Sequence, residues 1–148
     1  MPRRLALTLA TAAVVLAGCG TLDVDEYPTT KGTSVDCKAL LADTPRTVAG
    51  QDARDVTDHV ASAWGDPPII LRCGVEKPKA LKPTSPCFPV RDVGWFAEKT
   101  PDGYLFTSIG RKYFVSVEVP KDYDPAADAL ADLAEVIGRH DPEVQACA

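Results

Sequence analysis

A chain of 148 residues with 16 basic and 21 acidic side chains, net charge −5, has room for one domain and not for two ordinary ones. Its acidic balance argues against nucleic acid as a partner and against electrostatic adhesion to anionic lipid. Five cysteines and two histidines, with no Cys-x-x-Cys pair, lack metal-ligand spacing, so neither a metal nor a cofactor is expected.

At the N-terminus, Arg3 and Arg4 precede an apolar run from Leu5 to Ala17 that ends in Leu16-Ala17-Gly18-Cys19. A basic start, a short apolar stretch and small residues before a cleavage point describe a secretory signal. The Leu-Ala-Gly-Cys ending resembles a bacterial lipobox, in which the cysteine is acylated and becomes the first mature residue. The run is shorter than the roughly 20 residues that a membrane span needs. Residues 1–18 therefore read as a lipoprotein signal peptide and Cys19 as the lipidation site. The residues flanking Arg3-Arg4 do not resemble a twin-arginine motif, which favours Sec export. Without residues 1–18 the basic count falls to 14 and the net charge to −7. Attachment must then come from acyl chains on Cys19, at about 0.8 kcal/mol per buried methylene, two chains being enough for stable anchoring. The expected location is the extracytoplasmic face of the cell membrane.

Residues 19–36 read as the lipidated cysteine and a flexible polar tether, with a root-mean-square reach of roughly 20–25 Å. Residues 37–148 read as a single extracytoplasmic domain. It opens with a short helix, Asp36 as N-cap and Cys37–Leu41 as its first turns, stopped before Pro45. His59–Trp64 and Ile69–Cys73 read as strands joined through Gly65-Asp66-Pro67-Pro68. Residues 75–89, with four prolines and three lysines, read as an extended loop. Val93–Glu98, Tyr104–Ile109 and Lys112–Val119 are three further strands, the first two joined through Thr100-Pro101-Asp102-Gly103. In the last, Tyr113, Val115, Val117 and Val119 share one face, and Phe114 breaks the alternation. A helix closes the chain, with Asp124 as N-cap, Pro125 at its first position and Gly138 just past its end. The sum is a two-layer α+β fold: a mainly antiparallel sheet of about five strands with a C-terminal helix packed on one face.

Beyond Cys19, the four cysteines Cys37, Cys73, Cys87 and Cys147 make two disulfides in an exported domain, with three possible pairings. The expected pairs are Cys73–Cys87, across the base of the proline-rich loop, and Cys37–Cys147, tying the two ends of the domain.

Catalytic chemistry is not legible. Acyl transfer needs a nucleophile beside its base, yet neither Gly-x-Ser-x-Gly nor Ser-x-x-Lys occurs. Asp58-His59 and Ser62 hold all three triad residue types, but in a strand His59 and Ser62 would point to opposite faces. Phosphate-binding glycine motifs are absent. His140, near a helix C-terminus, needs no more than a capping role. What remains as a ligand or partner surface is Trp64, Asp66, Arg72, Trp95 and Arg111. Both tryptophans are as readily core residues. Arg111, after Gly110 in a tight connection, could present its planar fork outward to an anion.

At these residues the sequence resembles a family of actinobacterial lipoproteins, domain of unknown function 3515. The resemblance rests on Ala63-Trp64-Gly65-Asp66-Pro67-Pro68-Ile69-Ile70-Leu71-Arg72-Cys73-Gly74-Val75. It is supported by Pro83-Thr84-Ser85 ahead of Cys87, by Trp95, and by the pairs Phe106-Thr107, Gly110-Arg111 and Val119-Pro120. Cys37 and Cys147 fall where the family's flanking cysteines are expected, and Ile109 departs from its pattern. The resemblance implies an envelope protein, secreted or membrane-anchored, and supplies no catalytic residues. The expectation is a binding or accessory module for an envelope protein partner; the alternatives are a binder of a small anionic or sugar ligand and, last, an envelope enzyme.

Overall fold

The computed structural model describes residues 20–147; the stretch read as a signal peptide, residues 1–18, and the expected lipidation site Cys19 lie outside them. Strand periodicity dominates the middle of the chain. In β8 (Phe114–Pro120), Val115, Val117 and Val119 are fully buried and alternate with Ser116 and Glu118. In β4 (Ile69–Val75), Ile69, Leu71 and Cys73 do the same. The two strands pair antiparallel, Leu71 opposite Val117 and Cys73 opposite Val115, so their apolar sides form one continuous face. The remaining strands are β1 (Thr47–Val48), β2 (Gln51–Arg54), β3 (Ser62–Trp64), β5 (Phe88–Val90), β6 (Val93–Lys99) and β7 (Gly103–Ile109). All pair antiparallel in the order β1-β2-β3-β4-β8-β7-β6-β5. The sheet thus has eight strands and not about five. The three unforeseen ones, β1, β2 and β5, span two to four residues each, too few for a period-2 pattern to register.

Helices α1 (Ser34–Ala42) and α2 (Ala127–His140) cover the apolar face. In α2, Leu130, Leu133, Ala134 and Ile137 recur at helical spacing and are all buried in the common core. The α+β class, the antiparallel sheet and the C-terminal helix are as the sequence implies. The helix ends differ. The N-cap of α1 is Thr33, and Asp36 sits in its first turn. In α2 the N-cap is Ala126, and the helix runs through the exposed Gly138 to His140. Arg139 and His140 on Asp43 hold its last turn in place of a glycine stop. The strand expected from His59 begins only at Ser62, because Thr57–His59 form a 3-10 turn. Phe114 lies on the sheet face opposite the helices, facing a small cavity with Leu81 and Ile109.

The disulfides pair as Cys37–Cys73 and Cys87–Cys147, with Cα–Cα distances of 5.4 and 5.7 Å, which corrects both expected pairings. Strand order gives the reason. Cys73 is in β4 and Cys87 immediately precedes β5, four interstrand spacings away in the sheet, roughly 19 Å at about 4.8 Å each. A disulfide tolerates no more than about 7 Å between Cα atoms. Cys73 instead meets Cys37 of α1, which lies close over Gly74: a Cβ there would sit 3.0 Å from Cys37 Sγ and collide with Thr33. The rings close 36 and 60 residues, each stabilising by roughly 4 kcal/mol in the chain-entropy picture.

The segment ahead of α1 is not a free tether. Leu22 N–H donates to Asp55 O (2.8 Å) and Thr57 N–H to Leu22 O (3.0 Å). Leu22 and Val24 pack on the cluster of Val56, Ala61 and Ala63, and Thr30 N–H reaches Gly74 O. Residues 20–30 form a strap across β3 and β4, held by apolar burial that a purely polar reading of the segment overlooks.

Candidate functional site

The structure does not bring the five candidate surface residues together. Trp64 is 1% exposed, and its indole N–H donates to Pro45 O at 2.8 Å. Trp95 is fully buried against Phe106. Both tryptophans are core, four strands apart. Arg72 points to the other face, where it pairs with Glu118 at 3.1 Å and lies 5.9 Å from the Tyr27 ring centroid. Asp66 is exposed in the β3–β4 turn, 3.8 Å from Arg54. Arg111 turns inward rather than outward: its guanidinium donates to the backbone carbonyls of Asp141 (2.6 Å) and Asp92. It fastens the C-terminal tail to the start of β6 and offers no fork to an anion.

The candidate site lies elsewhere. A cavity of about 870 Å³ opens between α1, the strap and the chain from β2 to β3. Its buried lining is mostly apolar, Val56, Ala61, Ala63, Trp64 and the Cys37–Cys73 disulfide, joined by Thr33, whose hydroxyl donates to Thr30 O. Its rim carries Lys38 and Arg54 against Glu26, Asp55 and Asp58, with His59 beside them. Local chain geometry creates the hollow. Asp58 and His59 both adopt left-handed conformations, φ 57° and 52°, in the 3-10 turn that delays the start of β3 to Ser62. Two consecutive residues in that region cost about 1–2 kcal/mol each, and backbone strain of this kind concentrates at functional sites.

With β3 cut short, the Cys73 N–H has no strand partner on that side. The Tyr27 hydroxyl fills the gap: it accepts from Cys73 N–H at 3.1 Å and donates to Val60 O at 2.9 Å. Burial pushes the Tyr27 hydroxyl pKa up, opposed by its hydrogen bond at Cys73 and by the Arg72 charge. Asp58, His59 and Ser62 all line the cavity, yet no hydrogen bond joins them among the described residues; Ser62 Oγ lies 3.1 Å from Thr44 Oγ1. The arrangement has the volume and the apolar interior of a small-molecule site and no assembled nucleophile. Sequence reasoning missed Tyr27, Lys38 and Arg54 here; it singled out Trp64, and it named Asp58-His59 and Ser62 but read His59 as a strand start.

His140 and Arg139 at the end of α2 hold Asp43, whose carboxyl is kept below its ordinary pKa by His140 first and Arg139 second. The next residue, Asp141, is fully buried, with Oδ1 accepting from Tyr113 N–H at 3.2 Å and Oδ2 without a partner among the described residues. Burial pushes its carboxyl up to about 6, against the N–H groups of Tyr113 and Lys112 and the Arg111 charge. Cys87–Cys147 closes over Gly94, where a Cβ would lie 2.9 Å from either sulfur. Among the described residues no helix is long and apolar enough to cross a membrane, and no group of three or more His, Cys, Asp or Glu is placed to hold a metal ion.

No curated protein and no solved structure matches the chain. The family described as "Protein of unknown function (DUF3515)" matches it over residues 4–146, which takes in the strap, the cavity and the Cys37–Cys73 disulfide, and the chain belongs to that family.

Proposed function

We propose that the protein is a lipid-anchored, ligand-binding module of the cell envelope, held by acyl chains on Cys19 at the extracytoplasmic face of the membrane. The cavity carries this reading: about 870 Å³, within the range of small-molecule sites, apolar inside and polar at the rim. It favours a small ligand over an envelope protein as the partner. Three carboxylates against two fixed cations at the rim argue for an uncharged or zwitterionic ligand rather than an anion.

Ala42, exposed on α1 and lining the cavity, is the position from which to block it. Ala42→Trp should leave stability within about ±0.5 kcal/mol, as for most surface changes. A small-molecule extract of the envelope should raise the Tm of the parent and not that of the variant. An equal response of both proteins, or of neither, would remove the cavity from the account. Anchoring is tested separately: Cys19→Ser should abolish labelling by a radioactive fatty acid, and persistent labelling would refute it.

A further inference from the structure

We infer that the cavity takes the hydrocarbon chain of a single-chain amphiphile drawn from the membrane surface on which the protein sits. The inference rests on the ligand-binding reading above and gives its ligand a chemical class. The strap is the first observation. The described residues begin at Gly20, and two residues later Leu22 is hydrogen-bonded on both sides to Asp55 and Thr57. Thr57 Oγ1 also donates to Asp23 Oδ1 at 2.6 Å. Whether acylated Cys19 or the apolar run before it holds the chain to the lipid, the slack between membrane and domain is a few residues at no more than about 3.6 Å each. The domain therefore rests against the headgroups.

The second observation is that the same segment forms the cavity rim. Asp55, Val56, Asp58 and His59 line the cavity, and Asp55 and Thr57 are the residues to which Leu22 is bonded. The mouth thus lies beside the point where the chain leaves for the membrane. An apolar interior opening at that level matches a hydrocarbon chain, and the mixed-charge rim matches a zwitterionic or neutral head.

Photolabelling of the full chain in phosphatidylcholine vesicles tests this. The probe is a lysophosphatidylcholine with a diazirine in its acyl chain, and peptide mapping locates the adducts. Adducts should concentrate on residues 56–64 and 37–44 and fall at least tenfold in Ala42→Trp, with labelling elsewhere unchanged. Ser34→Trp, at the opposite end of α1 on the same cavity, should act alike and guards against a folding defect in one variant. Adducts confined to residues 20–24 would overturn the inference, since they report only nearness to lipid. A water-soluble diazirine tripeptide separates the two readings. If it labels residues 56–64 and the lipid probe does not, the cavity binds ligand but not an amphiphile; if neither labels them, both readings fall.

Discussion

At the scale of single residues, the chain that follows α2 is held by groups that titrate or carry charge in unusual surroundings. Asp141 ionises near pH 6 because burial outweighs the N–H donors and the Arg111 charge around it. An unfolded chain would ionise it near pH 3.9. The folded state therefore favours the protonated carboxyl, so its stabilising contribution is full below about pH 4 and is lost as pH rises through 6. At 1.36 kcal/mol per unit that is on the order of 2–3 kcal/mol. Denaturant unfolding of Asp141→Asn across pH 4–7 should lack this decline, the amide oxygen still accepting from Tyr113; an unchanged slope would contradict the assignment. Arg111 makes a complementary prediction. Its two charge-assisted bonds to backbone carbonyls mean that Arg111→Ala should cost about 2–3 kcal/mol. A loss under 0.5 kcal/mol would return Arg111 to the surface role that its place beside Gly110 suggests.

At the scale of elements, legibility followed length and punctuation. The long strands β4, β6, β7 and β8 and the helix α2 carry clear periods and were readable to within a few residues. The short β1, β2 and β5 were not, since two to four residues hold no pattern. Positive φ at Asp58 and His59 is equally invisible, as both residue types serve in strands and turns alike. The disulfides show a different limit. Their existence is legible from the even count of cysteines beyond Cys19, but their pairing depends on which strands become neighbours, and β8, β7 and β6 stand between β4 and β5. The strap failed for a subtler reason: Leu22, Val24 and Tyr27 are too widely spaced to read as an element, and each finds a partner only in the finished fold. Tyr27 is its tightest point. Tyr27→Phe leaves the Cys73 N–H unpaired, at a cost of about 1–3 kcal/mol. Amide exchange at Leu22 and Thr30 should accelerate in that variant ahead of the core, whereas unchanged protection would mean that the strap is held without it.

For the whole molecule, the candidate site was the least legible part, because it has no motif. It is a hollow left where β3 starts late, α1 is pinned by Cys37–Cys73 and the strap crosses the gap. The tryptophans and arginines that drew attention in the sequence serve the core, an ion pair and the C-terminal clamp instead. The central claim, a membrane-anchored domain that carries a small ligand in this hollow, is tested most directly by native mass spectrometry of the full chain purified gently from its own membrane. The account predicts a non-covalent mass of small-molecule size on the parent, lost under mild activation and absent from Ala42→Trp. A parent protein that carries no such mass, or carries it equally in the variant, would contradict it.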